Sequence, residues 1–539
     1  MIPKTHTLDL VPAGLHRDVA RGAPLQEILF AHGVEFPCGG RGRCRGCRVR
    51  VLGGSLPVTG EEERLLTPAE LADGWRLACR HEVADDLRLE LAQWEMPGLG
   101  DASSFAFTPR EGVGVAVDLG TTTLVAQLVD LRTGDVLAVR SALNAQARHG
   151  ADVMSRIEFA VQGGQAELTK LIRNQLGELI GQLVELGPNG ESPCTNRRHT
   201  HGRDARATWQ GRPAHVPESC KNRDAPGRSA RPLVRVALVG NTVMHHIFCG
   251  VSVAPLARHP FASPQLDRCR FAPGALGWML PATTVVEFLP CLGGFVGSDI
   301  LAGIVATGLH ESPELAALID LGTNGEIVVG SRGRLLCTST AAGPAFEGAR
   351  ISMGMRAAPG AIAEVRVEHG AIVCRTLGGG APRGLCGSGL VDAVAAGLEL
   401  GRIAASGRIT AGDRLPLAGA VTLSQGDVRE LQLAKGAIAA GLSLLVARLG
   451  ASLEDIRHVH LAGAFGNYIS RASARRIGLL HFPLERIAAA GNTALHGARR
   501  ALFEEPAAWE AVRRRVEHVA LNEDPRFHDV YAGEMRFPG

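Results

Sequence analysis

Aromatic side chains are scarce in this sequence, which contains 2 Tyr, 5 Trp and 16 Phe among 539 residues. Flat stacking surfaces for bases are therefore few, because such surfaces are built from aromatic rings. The formal net charge is only +3 at pH 7, and a charge so close to zero does not indicate nucleic acid as a general partner. The composition thus argues against a nucleic-acid-binding protein.

Long apolar runs are also lacking. The stretch GAIAAGLSLLVA at 436–447 is well short of the roughly 20 residues that cross a bilayer. The first twenty residues have no apolar segment of the kind that signal peptides contain. With 45% hydrophobic and 21% charged residues, the composition is typical of a globular protein. We therefore expect a soluble, cytoplasmic protein that does not bind membranes.

Of the 12 cysteines, three lie close together in PCGGRGRCRGC at 37–47. Cys38, Cys44 and Cys47 have the spacing C-x5-C-x2-C, and Cys79 follows after a long gap. Plant-type ferredoxins hold a [2Fe–2S] cluster with C-x4-C-x2-C and a distant fourth cysteine, and the intervening glycines suit a tight loop around an anionic cluster. The spacing predicts a [2Fe–2S] site. A zinc site, which normally needs a second short knuckle, and buried structural thiols are the alternatives.

The pattern along the chain predicts several parts. Residues 1–96 combine short alternating strands with one short helix, the element mix of a small β-grasp ferredoxin. Glycine-punctuated apolar strands and Ala/Leu-rich helices follow, an α/β pattern. Residues 187–232 contain no Leu, Ile, Phe or Met and carry nine Lys/Arg against four Asp/Glu, a net of +5, so we expect a disordered basic insertion. The predicted parts are a ferredoxin-like domain 1–96, a linker 97–112, the first part of an α/β domain 113–186, the insertion 187–232, and the remainder 233–535.

The α/β part contains the same loop twice. VGVAVDLGTTTLVAQLVD at 113–130 and LAALIDLGTNGEIVVG at 315–330 both read as strand, D-L-G-T turn and strand. The turn glycines let backbone amides approach an anion, and an aspartate at a strand end can hold Mg²⁺ directly or through water. Two such loops predict two similar half-domains that clamp a polyphosphate. The predicted binding residues are Asp118, Gly120, Thr121 and Thr122 in the first loop, and Asp320, Gly322, Thr323 and Asn324 in the second, with Glu326 close behind.

A third element lies late in the chain. In VHLAGAFGNYIS at 459–470, an apolar strand leads into Gly463 and Gly466. Glycines at that point would let a nucleoside lie flat against the backbone. A plain strand-to-helix turn is the alternative for this segment taken alone.

These three elements resemble the first phosphate, second phosphate and adenosine motifs of the ASKHA superfamily, which includes acetate and sugar kinases, Hsp70 and actin. Further segments make the resemblance specific to one family within this superfamily. They are GNTVMHH at 240–246, TAAGPAFEGARISMGMRAAPGAI at 340–362, GLCGSGLVDAVA at 384–395 and GNTAL at 491–495. These segments follow an N-terminal cysteine cluster of the ferredoxin type, and the combination resembles the reductive activators of corrinoid proteins. The resemblance implies an α/β fold, with a small β-grasp ferredoxin domain followed by a two-lobed ASKHA domain.

The resemblance also implies a function. Such an activator uses ATP to transfer a low-potential electron from its [2Fe–2S] cluster to Co(II) of a corrinoid methyl-carrier protein, restoring Co(I). The implied cofactors are the cluster, ATP and Mg²⁺, and the implied partners are a corrinoid methyl-carrier protein or methyltransferase and an external low-potential reductant. A homodimer is one option for the assembly. A small-molecule kinase with a fused ferredoxin, or a non-catalytic ATP-regulated electron carrier, would share the fold; no residue is assigned as a catalytic acid or base.

Overall fold

The computed structural model describes residues 5–11, 15–30, 42, 47–91, 105–150, 152–186, 231–322, 324–348, 350–358, 360–377, 380–410, 412–466 and 469–538. The predicted insertion 187–232 falls almost wholly outside these residues, as do the first half of the linker and the loop that carries Cys38 and Cys44. The elements that flank the insertion are described, and they end and begin where the sequence pattern places them, at Leu186 and Leu233.

The N-terminal part is a five-stranded mixed sheet with short helices. Its strand order is β2-β1-β5-β3-β4, in which β1 and β5 are parallel and the other neighbouring pairs are antiparallel. One face of the sheet is apolar because the residues along β1 and β5 alternate between buried and less buried positions. The elements are β1 Thr5–Val11, β2 Leu15–Ala20, α1 Leu25–Phe30, β3 Arg48–Gly53, α2 Gly60–Leu65, α3 Pro68–Ala72, β4 Trp75–Leu77 and β5 Leu87–Leu91.

The first lobe of the following domain is built on a six-stranded sheet of order β10-β11-β9-β6-β7-β8. Within this sheet β6, β7 and β8 form an antiparallel meander, while β9 pairs parallel with β6. The elements are β6 Val113–Leu119, β7 Thr123–Asp130, β8 Val136–Leu143, α4 Val153–Phe159, α5 Gln165–Leu186, β9 Leu233–Gly240, α6 Thr242–Cys249, β10 Cys269–Phe271, β11 Val285–Phe288 and α7 Ser298–Thr307.

The second lobe repeats this arrangement. Its main sheet has the order β21-β20-β12-β13-β14-β22, with the meander β12, β13 and β14 and the parallel pair β12 and β20. The elements are β12 Ala316–Leu321, β13 Gly325–Gly330, β14 Leu335–Thr340, β15 Ala361–Glu368, β16 Ala371–Thr376, β17 Gly384–Leu385, α8 Gly387–Glu399, β18 Arg414–Ala418, β19 Val421–Ser424, α9 Gln425–Arg448, β20 His458–Ala462, α10 Gly463–Gly466, α11 Arg471–Arg476, β21 Ile487–Gly491, α12 Thr493–Ala501, α13 Pro506–Arg513, β22 Val516–His518 and α14 Phe527–Glu534.

The two sheets share a core through α7 and α12, which pack against each other between them. The helices approach so closely that a Cβ added to Gly497 would lie 2.4 Å from the backbone oxygen of Ala302. Two matching lobes joined in this way confirm the predicted internal repeat and the predicted α/β fold class. One helix, α9, is long and apolar enough to cross a membrane by length and composition, but 78% of its apolar window is buried inside the protein.

Candidate functional site

The first D-L-G-T loop is a tight turn between β6 and β7. Asp118 lies near the end of β6, and Gly120 closes the turn so tightly that an added Cβ would lie 2.5 Å from the backbone oxygen of Thr123. The side chain of Thr121 is buried, and its Oγ1 accepts a hydrogen bond of 2.9 Å from the amide of Asn241 at the start of α6. The neighbouring Thr122 stays partly exposed.

Two buried polar side chains support this loop from behind. Asn144 donates from Nδ2 to the backbone oxygen of Gly120 (2.9 Å), and its own backbone N–H donates to the oxygen of Thr122 (2.8 Å). The guanidinium of Arg156, which is fully buried, donates to the backbone oxygen of Thr121. Because these contacts are all to backbone oxygens, they fix the loop's shape without using its N–H groups.

The second loop joins β12 to β13. Asp320 lies near the end of β12, and the N–H of Gly322 donates to the backbone oxygen of Asn324 at 3.0 Å. Thr323 lies outside the described residues. The predicted adenosine segment touches this loop directly: a Cβ on Gly463, whose φ is +84°, would lie 2.5 Å from Oδ1 of Asp320. Only glycine fits there, since both the positive φ and the contact exclude a side chain.

The remainder of the third segment is the short helix α10. Gly466, which ends it, packs against Leu461, where an added Cβ would meet carbon atoms at 3.2–3.3 Å. Phe465 stacks on Phe346 with ring centroids 4.8 Å apart. The structure therefore places Gly463 against the second D-L-G-T loop, which local sequence patterns alone did not require, while Gly466 packs against the preceding strand β20.

Four carboxylates converge between the two loops. Asp118, Asp299 and Asp320 are partly accessible, while Glu326 is 9% exposed. Burial, together with the charges of Asp118 and Asp320, raises the pKa of Asp299 to about 8. Burial likewise raises the pKa of Asp320 to about 7, with Asp118 contributing. The neighbouring charges among these causes place the aspartates within electrostatic reach of one another, so the cleft concentrates acidic side chains.

The other two members behave in the same way. Burial raises the pKa of Asp118 to about 6, although a hydrogen bond from Asn492 opposes the rise. The pKa of Glu326 is raised well above its usual value by burial and by the neighbouring aspartates, and Ser339 donates to its Oε1 at 3.3 Å. Carboxylate oxygens are the donors that Mg²⁺ prefers, so the residues present fit that ion.

Asp299 was missed by the sequence reasoning. It lies in the first turn of α7, following the glycine-rich segment GGFVGSD at 293–299. An acidic residue in a first helical turn is common for reasons of helix stability alone, so the segment carried no clear signal. Asn492, at the start of the GNTAL segment, belonged to the family resemblance but was given no role from its own pattern.

The described half of the cysteine site consists of Cys47 and Cys79. Cys47 precedes β3 and is buried, while Cys79 lies in a single turn of 3₁₀ helix after β4 and is half-buried. A hydrogen bond from Cys47, helped by Arg80 and the backbone N–H of Gly42, lowers the pKa of Cys79 to about 6, and burial opposes the fall. Gly42 has the positive φ (+63°) expected of a cluster-binding loop. Converging thiols that meet a backbone N–H and a cation fit an anionic iron–sulfur cluster.

The ferredoxin-like part contacts both lobes. Leu143 and Ala147 of the first lobe belong to the same apolar core as the N-terminal sheet. Arg383 of the second lobe pairs with Glu90 of β5 at 2.8 Å, and its guanidinium lies 5.8 Å from the ring centroid of Trp75. Leu143 directly precedes Asn144, the residue that supports the first phosphate loop, so the two predicted sites are connected through adjacent residues.

Three family models match the chain. The model for a 2Fe-2S iron-sulfur cluster binding domain matches residues 11–84, the RACo middle region matches 113–190 and 219–312, and the C-terminal ASKHA domain of RACo matches 314–539. Two relatives match over most of their length. The corrinoid activation enzyme RamQ of Eubacterium limosum is 34% identical, with 79% of this chain and 70% of RamQ covered. The [Co(II) methylated amine-specific corrinoid protein] reductase of Methanosarcina barkeri is 25% identical, with 79% of this chain and 77% of the reductase covered.

A solved structure, described as a reductive activator for corrinoid, iron-sulfur protein, matches with a TM-score of 0.65 and 25% identity, covering 99% of this chain and 98% of that one. The match therefore includes the ferredoxin part as well as both lobes. Together with the extended identity to RamQ and the three family models, it shows that this chain belongs to the RACo family, the reductive activators of corrinoid proteins.

Proposed function

We propose that this protein reduces Co(II) of a corrinoid methyl-carrier protein to Co(I) in a reaction that depends on ATP. The names of its relatives support the substrate, because one is a corrinoid activation enzyme and another a Co(II) corrinoid protein reductase. The observation that carries the ATP dependence is the convergence of four carboxylates between two backbone loops of equivalent position.

In this proposal Cys38, Cys44, Cys47 and Cys79 hold one [2Fe–2S] cluster. When bound, it supplies one-electron chemistry, for which plant-type ferredoxin clusters have potentials near −400 mV. The protein's own contribution is visible at Cys79, whose lowered pKa of about 6 keeps the thiolate available as a ligand at neutral pH. In this proposal an external low-potential reductant supplies the electron to the cluster.

The two phosphate loops and the carboxylates would hold Mg·ATP. The phosphates would lie between the Gly120 and Gly322 turns, where the Gly322 N–H already bonds to the backbone oxygen of Asn324, so other backbone N–H groups and the threonine hydroxyls would donate to them. Asp118, Asp299 and Asp320 would hold the ion directly or through its waters. Mg²⁺ rarely loses its whole hydration shell, so few of these carboxylates need to touch it. Gly463 and Gly466 leave room for the nucleoside beside the second loop.

Coupling between the nucleotide and the ferredoxin part would run through the segment 143–147. Leu143 and Ala147 pack into the ferredoxin core, and Asn144 between them is bonded to the first phosphate loop. Closure of two lobes around a ligand is a common source of conformational work. About 30 mV corresponds to ~0.7 kcal/mol for one electron, so a few kcal/mol of differential binding would cover a gap of on the order of a hundred millivolts or more.

A kinase with a fused ferredoxin is the second candidate. It needs an ionised carboxylate in the cleft to accept a hydroxyl proton; Asp299 lies there, but its pKa of about 8, raised chiefly by burial, leaves it mostly protonated at neutral pH. A kinase would consume ATP with a small hydroxyl compound and without corrinoid protein. A non-catalytic electron carrier would neither turn over ATP nor depend on it.

The test mixes the prereduced protein with a Co(II) corrinoid protein and follows Co(I) by visible absorbance, with and without ATP. Wild type should form Co(I) fully only with ATP. Asp320→Asn should lose about 10²-fold in rate, because removing one charged group at a phosphate site costs several kcal/mol, while its cluster spectrum stays unchanged. Asp413→Asn, an exposed carboxylate of the same lobe, is the matched control. Complete reduction without nucleotide would overturn the proposal.

A further inference from the structure

A group of three soft ligands lies in the first lobe, separate from both sites described above. His245 and Cys249 belong to α6, and Cys269 begins the edge strand β10. One ligand atom from each residue, the ring nitrogen of His245 and the two sulfurs, lies within 4.8 Å of the others. The three residues are not part of the cysteine cluster or of the carboxylate cleft.

The backbone brings the three side chains together. His245 and Cys249 are four residues apart on one helix and therefore lie on the same face, one turn apart. The sulfur of Cys269 lies 3.8 Å from Nε2 of His245 and is hydrogen-bonded to the thiol of Cys249. A tetrahedral zinc ion, with Zn–S about 2.3 Å and Zn–N about 2.0 Å, sets such atoms about 3.5–3.8 Å apart. Small side-chain rotations would therefore close the group on a metal ion.

The histidine is already oriented for this role. Its ring is fully buried and meets Phe288 edge-on, with centroids 5.0 Å apart. Its Nδ1 lies 3.3 Å from Nδ1 of His246, whose Nε2 lies 2.7 Å from Oγ of Ser263. Metal-binding histidines normally donate their other ring N–H to a fixed acceptor, which sets the tautomer. His246, held in turn by Ser263, can provide that acceptor at Nδ1. Nε2 now faces the backbone oxygen of Asp267 at 3.1 Å and the sulfur of Cys269 at 3.8 Å, so metal binding requires it to exchange the first contact for the metal ion.

We propose that His245, Cys249 and Cys269 form a binding site for one soft divalent metal ion, with Zn²⁺ as the expected occupant. Two thiolates and an imidazole suit Zn²⁺ better than Mg²⁺ or Ca²⁺. Both cysteines are half-buried, so water can complete the tetrahedron. Binding replaces the thiol protons and any proton on Nε2, which now lies 3.1 Å from the backbone oxygen of Asp267, and it releases them to solvent.

Such a site would join the C-terminal end of α6 to the edge of the first sheet. The other end of the same helix, about 10 Å away at 1.5 Å per residue, begins beside Asn241, which holds Thr121 of the first phosphate loop. The metal would therefore brace the helix that supports this loop. It would act on stability and not on the chemistry.

The experiment uses the full-length protein with its iron–sulfur cluster intact. Purified protein is incubated with Zn²⁺, desalted, and measured for zinc and iron together, so that zinc at a cluster-free cysteine site is recognised by the loss of iron. We expect about one zinc per chain with no loss of iron, and a zinc X-ray absorption spectrum that fits two sulfur ligands and one histidine. The bound metal should raise the thermal transition of the first lobe.

Cys249→Ser, Cys269→Ser and His245→Gln should each lose stoichiometric zinc while they retain iron, which shows that they fold. Cys374→Ser, a half-buried cysteine of the second lobe, is the matched control and should keep its zinc. The proposal is wrong if wild type binds no zinc, if the three variants bind it as wild type does, or if anaerobically prepared protein contains a Cys249–Cys269 disulfide in place of two free thiols.

Discussion

Asn492 and Asp118 are 374 residues apart in the chain, yet Nδ2 of Asn492 donates to Oδ2 of Asp118 at 2.9 Å. The same asparagine caps α12, because its Oδ1 accepts from the backbone N–H of Leu495 at 2.8 Å. One side chain therefore fixes a helix start and orients the aspartate of the first phosphate loop. The hydrogen bond also opposes the rise in the pKa of Asp118 that burial causes.

Replacing Asn492 with serine should separate these two roles. Serine caps a helix about as well as asparagine, but its side chain is too short to reach Asp118. The pKa of Asp118 should then rise above its value of about 6, because the hydrogen bond that favoured the carboxylate is gone. We expect the acid limb of the pH profile of ATP-dependent Co(II) reduction to move to higher pH, with little change in thermal stability. An unmoved acid limb would contradict this role for Asn492.

The raised pKa values of the cleft carboxylates predict an unusual pH dependence of stability in the nucleotide-free protein. A carboxyl whose pKa is higher in the folded than in the unfolded state binds its proton more tightly when folded. Its contribution to stability is therefore complete at low pH and is lost as pH rises through the folded-state pKa. Asp299, with a pKa of about 8 against an ordinary 3.8, should destabilise the fold progressively between those two values.

Asp299→Asn isolates this effect from other titrating groups, including histidines such as His246, whose pKa burial lowers to about 4. In denaturant unfolding, we expect the free energy of unfolding of the variant to exceed that of wild type by on the order of 1 kcal/mol or more at pH 8. The difference should be much smaller at pH 5. Saturating Mg²⁺ should reduce the difference, because the ion neutralises the site in wild type. If the free energy of unfolding depended on pH equally in wild type and variant, the charge of Asp299 would not affect the stability of the folded protein.

Cys79→Ser tests the cysteine site through its described half. Protein purified without oxygen should contain about two iron and two sulfide per chain, and the variant should lose or alter the EPR signal of the reduced cluster. The reason is local: the Cys79 thiol meets Cys47, Arg80 and a backbone N–H of Gly42, so a weaker oxygen ligand replaces a well-placed thiolate. Cys374→Ser should leave the signal unchanged. Stoichiometric zinc without sulfide in protein isolated from cells would instead favour a zinc site.

Arg383→Ala should loosen the contact between the ferredoxin part and the second lobe. It removes the ion pair with Glu90 and the guanidinium above Trp75. Partly exposed ion pairs contribute up to about 1 kcal/mol, so amide hydrogen exchange in β4 and β5 should accelerate by up to about fivefold. Arg375→Ala, which removes an ion pair with Glu364 inside the second lobe, should leave that exchange unchanged. Equal exchange in both variants would show that Arg383 does not hold the docked arrangement.

Much of the local structure follows from the sequence. The repeated strand–turn–strand pattern around each D-L-G-T segment appears as β6–β7 and β12–β13, because an apolar run that ends at glycine specifies both a buried strand and the tight turn after it. The end of α5 and the start of β9 can likewise be predicted from the sequence, since apolar periodicity stops abruptly at the polar segment between them. The cysteine spacing carries the cluster prediction for the same reason: short loops hold their ligands close whatever the rest of the chain does.

Only the tertiary structure decided which distant groups complete the sites. Asp299, Asn492, Asn144 and Arg156 gave no separate signal, because an acid in a first helical turn, a capping asparagine and a buried arginine occur in many proteins without function. Their roles come from the packing of α7 and α12 between two sheets, which brings residues hundreds of positions apart to one cleft. The group of His245, Cys249 and Cys269 has the same origin: helix periodicity aligns two of the ligands, but only the pairing of β10 with β11 brings the third. A pattern with a period of two or 3.6 residues determines an element and its buried face, whereas contacts between elements depend on how those faces pack.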